Sequence, residues 1–160
     1  MASPLRAQRE ALEELWRQGL SGQTLLAEQS RLVDVFLTER FVEAAAGLEE
    51  SVALLALGGY GRRELFPYSD IDLMILYAPE VAGQIGGVAE AILYPLWDAG
   101  LDVGHGVRTV TESLDHARAE YFFQVALLDA RLLAGSESLC QELLDQFQVS
   151  FIEGEREEFV

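Results

Sequence analysis

The sequence contains a single cysteine, no long apolar run and few basic residues. Cys140 has no partner for an internal disulfide, and its helical surroundings predict a small packing residue. No apolar run approaches the length of a membrane span, and the N-terminus lacks the charged and apolar regions of a signal peptide. These absences predict a cytoplasmic protein that does not associate with membranes.

The shortage of basic residues leaves the chain strongly acidic. Its 11 Lys and Arg residues oppose 27 Asp and Glu residues, which gives a net charge of −16. This balance argues against nonspecific binding to DNA, RNA or anionic membranes. It also repels free nucleotides, so a phosphate site would need a metal ion and locally placed arginines. Arg62, Arg63 and Arg108 are the candidates for that role.

Two strand-like runs flank a glycine-bearing loop in residues 51–77. Residues 52–57 are continuously apolar, the pattern of a strand covered on both faces. Residues 70–76 begin as an alternation of acidic and apolar side chains and become wholly apolar. Between them, Gly58 and Gly59 end the first run. Backbone amides can approach a ligand closely at such glycines because no Cβ stands in the way.

Asp70 and Asp72 share one face of the second strand, because side chains alternate along a strand. Two neighbouring carboxylates at the start of a buried strand are unfavourable unless a cation lies between them. Mg²⁺ suits this position, since it takes oxygen ligands and keeps waters and substrate phosphates in its shell. A glycine turn for phosphates beside a carboxylate pair for Mg²⁺ is typical of nucleotidyl transfer.

These motifs resemble a known family. An apolar run, Gly-Gly, ten residues and Asp–apolar–Asp–apolar is similar to the signature of the DNA polymerase β-like nucleotidyltransferase superfamily. The string GGYGRRELFPYSDIDLMIL (58–76) resembles more specifically the N-terminal domain of the bifunctional uridylyltransferase/uridylyl-removing enzymes of bacterial nitrogen regulation. The strings LWDAGLDVGHGVRT (96–109) and LLDARLLAGSESL (127–139) also resemble that family. The resemblance therefore covers most of the chain.

The resemblance implies an α+β fold, with a small mixed sheet, N-terminal helices and a C-terminal helical group. It also implies that Asp70 and Asp72 hold one or two Mg²⁺ ions and that the Gly58–Gly59 turn receives the triphosphate. UMP would pass from UTP to a tyrosine of the PII signalling protein. The HD hydrolase and ACT sensor domains of those enzymes have no counterpart in these residues, so we expect a fragment of a longer chain.

Two arginines and one serine are further candidates for the site. Arg62 matches an arginine of the family motif and is expected to bind the triphosphate, whereas Arg63 stands where the family has glycine and is expected to be a surface residue. Ser69 either binds a phosphate or stabilises the turn before Asp70. Arg108 matches the family's GH–VR element, which implies either a role facing the nucleotide or a structural one.

Asp102 is the candidate for a third carboxylate, acting as a metal ligand or a base. The alternative is an exposed aspartate at the end of a strand. His105 belongs to the same GH–VR element as Arg108, with the same two interpretations, and His116 is expected to be a surface residue. Tyr60, Phe66 and Tyr68 are expected to be packing residues.

The remaining pattern predicts one compact domain. Residues 1–50 are expected to form helices packed on the core, residues 51–110 the sheet core, and residues 111–160 the C-terminal helices. Predicted helices span residues 4–19, 22–46, 80–99, 110–118, 120–134 and 138–150, and predicted strands span 52–57, 70–76 and 101–108. Predicted helix caps are Ser21, Thr109 with Glu112, Gly135, and Ser138 with Gln141.

Two other functions stay open on the sequence alone. The chain could be a related nucleotidyltransferase with another nucleotide or acceptor, or a noncatalytic nucleotide-binding regulatory module. The intact pair of Asp70 and Asp72 argues against the noncatalytic alternative. Base preference depends on the shape of a pocket, which the sequence does not indicate.

Overall fold

A mixed sheet of four strands forms the centre of the fold in the computed structural model, which describes residues 4–66 and 69–153. The strand order is β3-β2-β1-β4, where β1 pairs antiparallel with both neighbours and β2 pairs parallel with β3. The strands are β1 (Val52–Ala56), β2 (Ile71–Tyr77), β3 (Val103–Arg108) and β4 (Arg131–Gly135). This arrangement confirms the predicted α+β class with a small mixed sheet.

Helices cover both faces of the sheet. They are α1 (Pro4–Arg17), α2 (Gly22–Ala44), α3 (Gly58–Gly61), α4 (Ile85–Asp98), α5 (Val110–Ala119), α6 (Tyr121–Leu127) and α7 (Glu137–Phe147). A 3₁₀ turn (Pro79–Val81) precedes α4, and a π-helical turn (Gln148–Glu153) follows α7. No helix in the described part of the chain combines the length and the apolar character that crossing a membrane requires.

The two faces of the sheet contribute to two separate apolar clusters. Alternate residues of β2, such as Leu73 and Ile75, pack in a cluster with α2 and α4. The residues between them, Met74 and Leu76, pack in a second cluster with α5 and α7. Every residue of β1 is buried, as the continuous apolar run predicts for a strand covered on both faces. By the same alternation, Asp72 lies on the face that α5 and α7 cover.

Several predicted helix boundaries are confirmed. The Ser21 hydroxyl accepts the Thr24 N–H at 3.2 Å and starts α2. Thr109 and Glu112 form a complete capping box at the start of α5. The predicted cap of α7 is wrong by two residues: Ser136, rather than Ser138, accepts the Leu139 N–H at 3.2 Å.

The predicted helix over residues 120–134 is wrong in its second half. Helix α6 ends at Leu127, and residues 131–135 form the strand β4. The local sequence there is rich in Leu and Ala, which favours a helix. Pairing with β1 overrides that propensity, because β1 would otherwise present an unpaired edge. Gly135, predicted to end a helix, instead ends β4 with a φ of +96°. The C-terminal helical group therefore contains a strand.

Arg63 adopts a backbone conformation that usually belongs to glycine. Its φ is +62°, and no other non-glycine residue in the described ranges has a positive φ. The turn is fixed by its neighbours, because the Arg63 N–H donates to the Tyr60 carbonyl and the Glu64 N–H donates to the Gly59 carbonyl. The fold thus explains why glycine is expected at this position from the family motif. A left-handed conformation costs a residue with a Cβ about 1–2 kcal/mol.

We predict that Arg63→Gly raises the free energy of unfolding by about 0.5–1 kcal/mol. The substitution removes the left-handed penalty, and the greater freedom of glycine in the unfolded chain offsets part of the gain. Denaturant unfolding at constant m-value measures the change. Arg63→Ala is the matched control, because it removes the guanidinium and keeps the Cβ. An equal gain in both variants would contradict the backbone explanation.

Candidate active site

The carboxylate pair lies at the start of β2, beside β3. Asp72 is the second residue of β2 and pairs in register with Gly104. Asp70 immediately precedes the strand, and the Ile71 N–H donates to the Asp102 carbonyl at 2.9 Å. The same parallel register places Asp102 next to Asp70 on the neighbouring chain segment. The backbone therefore brings the three predicted carboxylates to one edge of the sheet.

Glycines flank the Asp72 carboxylate on two sides. A Cβ on Gly58 would lie 3.3 Å from Asp72 Oδ2, and a Cβ on Gly104 would lie 2.6 Å from Asp72 Oδ1. Gly58 has a φ of +55° and begins α3, directly after the first strand. The Leu57 N–H donates to the Asp72 carbonyl at 3.0 Å, which fixes the two segments together. The predicted phosphate turn and the predicted metal ligand are thus in direct contact.

The electrostatics of this pair suit a cation. Partial burial raises the pKa of Asp72, and the charge of Asp70 raises the same pKa further. Among the described residues, no side chain donates a hydrogen bond to the Asp72 carboxylate. A half-buried carboxylate next to a second carboxylate is a donor set that fits Mg²⁺. We therefore consider Asp70 and Asp72 to be the residues able to hold it.

Asp102 does not extend this pair to a larger cluster. Within residues 4–66 and 69–153, no group of three or more His, Cys, Asp or Glu side chains is arranged to hold a metal ion. The Asp102 side chain is exposed. Its assignment as a third ligand or a base stays a prediction.

An open cleft of about 330 Å³ begins at Asp72 and continues between β3 and α6. Arg108 lines this cleft, and its guanidinium carbon lies 5.2 Å from the centre of the Phe123 ring. Its Nη1 atom lies where a Cβ on Gly106 would be, so the glycine makes room for the arginine. A cationic side chain therefore shares the cleft with the acidic pair.

The two neighbouring histidines lie in different surroundings. The His105 ring makes an edge contact with Trp97 of α4, 5.5 Å between centres, and His105 is also among the residues that line the cleft. His116, predicted to be a surface residue, lines the cleft and packs edge-on against Phe123. Glu120 and Phe122 line it too. The sequence carried no signal for these α5 and α6 residues, because they reach the site only through the packing of α5 on β3 and of α6 on α5 and α3.

Arg62 and Ser69 lie outside the cleft that holds Asp72. Arg62 Nη1 donates to Asp129 Oδ2 at 2.6 Å, and its Nε donates to Glu64 Oε2 at 3.2 Å. The guanidinium still lies near the glycine turn, with Nη2 3.6 Å from the position of a Cβ on Gly59. Ser69 lines a different cavity, of about 510 Å³, formed with α1 and α2. The roles predicted for Arg62 and Ser69 in phosphate binding stay predictions.

The predicted packing residues differ in how far they are buried. Tyr60 is buried, as expected, but the side chain of Phe66 is 57% exposed. Tyr68 lies outside the described residues.

We predict that Asp72→Asn makes the metal-free protein slightly more stable at neutral pH. Because the folded-state pKa of Asp72 is raised, its protonated form stabilises the fold below the unfolded value of 3.8, and that contribution is lost as the pH rises through the folded pKa. The ionised carboxylate is therefore unfavourable at pH 7, and the amide removes this penalty. The gain should shrink as the pH falls towards 3.8. Thermal unfolding in EDTA across this pH range measures it.

The same variant should lose at least about 100-fold in transfer activity, since even outer partners of metal ligands contribute about 10–100-fold. Asp115→Asn is the control, because Asp115 is an exposed carboxylate paired only with Arg118 in its own helix. A clear loss of metal-free stability in Asp72→Asn alone would mean that Asp72 has a structural role, and the catalytic assignment would fail.

Comparison with known proteins identifies the family of this chain. A family model of nucleotidyltransferases, DUF294, matches residues 6–121, well over half of the chain. A solved toxin–antitoxin structure with AMP-PNP aligns with 76% of this chain and 94% of that chain. Its TM-score is 0.42 and its sequence identity is 14%, a similarity too low to indicate a fold or a function.

Curated relatives are much closer in sequence. Each of three is named a bifunctional uridylyltransferase/uridylyl-removing enzyme. The protein of Nitrosospira multiformis is 44% identical over 142 residues, 85% of this chain. Those of Pseudomonas entomophila and Bradyrhizobium sp. strain BTAi1 are 40% and 44% identical over 88% and 69% of this chain. The matches cover 16%, 16% and 12% of the relatives, so the chain spans about a sixth of their length or less.

Proposed function

Because this chain belongs to the DUF294 nucleotidyltransferase family, we propose that it transfers UMP from UTP to a tyrosine of a PII-type signalling protein, with Mg²⁺ as cofactor. The relatives' shared name, uridylyltransferase, supports uridylyl transfer. The observation that carries the proposal is the position of the Asp72 carboxylate. It lies between Gly58 of the glycine turn and Gly104 of β3, with Asp70 beside it.

In this proposal the carboxylates, the glycine turn and Arg108 have separate roles in binding the metal and the triphosphate. Mg²⁺ held by Asp70 and Asp72 would neutralise charge on the phosphates and on the attacking and leaving oxygens. The Gly58–Gly59 turn would present the first amides of α3, which have no partner within that helix, to the triphosphate. Arg108 would supply positive charge in the cleft against a strongly acidic background.

The reaction itself is an in-line displacement. The acceptor hydroxyl oxygen forms a bond to the α-phosphorus, the bond from the α-phosphorus to the bridging oxygen breaks, and pyrophosphate leaves. The hydroxyl proton goes to a base, for which Asp102 is the candidate because it lies next to Asp70 in the strand register. The exposed side chain of Phe122 in α6 borders the same cleft, where the acceptor would approach.

We expect the purified protein to bind UTP more tightly than ATP, CTP or GTP, and only when Mg²⁺ is present. Calorimetric titration of each nucleotide, with Mg²⁺ and again with EDTA, measures this. A radiolabelled UMP transfer assay with a PII-type acceptor then tests the reaction. Tight Mg²⁺-dependent binding of another nucleotide would favour a related transferase instead. Absence of binding by the folded protein would contradict the proposal.

A further inference from the structure

A partly buried ion pair links α2 to β4. Arg131 Nη1 lies 2.9 Å from Asp34 Oδ2, and Arg131 Nη2 lies 3.2 Å from Asp34 Oδ1. The two side chains are only 17% and 23% exposed. This bidentate geometry fixes the relative orientation of the guanidinium and the carboxylate as well as their distance. Arg131 belongs to the string LLDARLLAGSESL, to which the sequence pattern assigned no role.

The same guanidinium also binds the backbone of α3. Arg131 Nη2 donates to the Tyr60 carbonyl at 3.1 Å, and Arg131 Nε donates to the Gly61 carbonyl at 3.2 Å. Carbonyls at the end of a helix have no partner within it, and an arginine placed there can bind them. The Tyr60 carbonyl also accepts the Arg63 N–H, so Arg131 adds a second donor to it. All three nitrogens of the Arg131 side chain therefore donate hydrogen bonds, and two of them donate to carbonyls of α3.

Tyr60 completes the contact from the other side. Its hydroxyl donates to Asp34 Oδ1 at 2.6 Å, and its ring lies 5.4 Å from the guanidinium carbon of Arg131. Burial and the neighbouring Asp34 raise the pKa of the Tyr60 hydroxyl well above its usual range, so it remains a donor. Tyr60, Asp34 and Arg131 thus form one cluster that joins α2, α3 and β4.

The segment that carries Arg131 also touches the turn directly. The position of a Cβ on Gly61 is occupied by the Asp129 carbonyl. The same Cβ position lies 3.1 Å from the Ala56 carbonyl oxygen. Only a glycine allows this approach. Because a helix of four residues cannot hold its own orientation, the contacts around it determine where α3 points.

We propose that Arg131 is a positioning residue for the triphosphate turn. With Asp34 and Tyr60 it holds α3 in the orientation that sets Gly58 against the Asp72 carboxylate. A pair of partly buried charges is a weak source of stability by comparison with apolar packing. In this proposal its effect is to fix the position of α3. The ligand named here, a nucleoside triphosphate, rests on the proposed function. The role of Arg131 in fixing the turn rests on the contacts alone.

Arg131→Lys tests the inference. A lysine keeps the charge opposite Asp34, but its single ammonium group lacks the planar fork that spans the carboxylate and the two carbonyls. The dissociation constant for Mg²⁺–UTP, and the KM for UTP, should rise roughly tenfold, because binding must then order a turn that one charge-assisted hydrogen bond no longer holds. The kcat should change much less, because Arg131 touches neither the metal ligands nor the reacting atoms. Amide exchange at Gly61, Arg62 and Glu64, whose N–H groups donate to the Leu57, Gly58 and Gly59 carbonyls, should accelerate even without nucleotide.

The matched control is Arg31→Lys, the same exchange in an exposed pair with Glu28 elsewhere on α2. It should leave UTP affinity and amide exchange unchanged. Asp34→Asn is a second variant, which keeps the carbonyl contacts of Arg131 and should raise the KM by a smaller factor. Unchanged amide exchange at the turn in Arg131→Lys would overturn the inference. So would a loss of thermal stability with UTP affinity unchanged.

The two proposals fail in different ways. If the unsubstituted protein binds no nucleoside triphosphate, the proposed function fails, and faster amide exchange at the turn in Arg131→Lys still supports the positioning role. If the unsubstituted protein binds UTP and Arg131→Lys binds it equally well, only the positioning role fails.

Discussion

The close approach of the Gly58 backbone to the Asp72 carboxylate is the constraint on which the rest of the site depends. Neither side of this contact can change independently. A Cβ on Gly58 or on Gly104 would lie 3.3 Å or 2.6 Å from a carboxylate oxygen. The turn, β2 and β3 approach one another at glycines, and this leaves space beside the Asp72 carboxylate where the proposed metal and triphosphate would lie.

The acidic pair also explains the surrounding architecture. Asp72 is the one charged residue of β2. The other residues of this strand are apolar, apart from Tyr77 at its end. The alternation of the strand directs its side chain away from the α2 and α4 cluster, towards α5 and α6. The cleft therefore extends from Asp72 towards α5 and α6, while the His105 ring packs against Trp97 of α4. A protein with a net charge of −16 needs its few cations near the site, and Arg108 is placed in the cleft itself.

Much of this could be predicted from the sequence, because the signals were local. The run from Val52 is apolar at every position, and Thr109 with Glu112 follows a capping pattern, so the strand and the cap were both predictable. The pairing of Asp70 and Asp72 on one face follows from strand geometry, and the raised pKa of Asp72 agrees with it. The left-handed Arg63 occupies the position where the family motif carries glycine.

The rest depended on contacts between distant segments. Strand β4 has helix-forming residues and is a strand only because β1 lies beside it. The partner of Arg62 is Asp129, and the partner of Arg131 is Asp34, at separations of 67 and 97 residues. No periodicity in the chain indicates either pair. The walls of the cleft from α5 and α6 were missed for the same reason.

The most direct test is a crystal structure of the protein with Mn²⁺ and a non-hydrolysable UTP analogue, using anomalous scattering to locate the metal. The account predicts a manganese peak at coordination distance from the carboxylates of Asp70 and Asp72, with the triphosphate along the Gly58–Gly59 turn. A metal bound elsewhere, or a triphosphate that avoids the glycine turn, would contradict it.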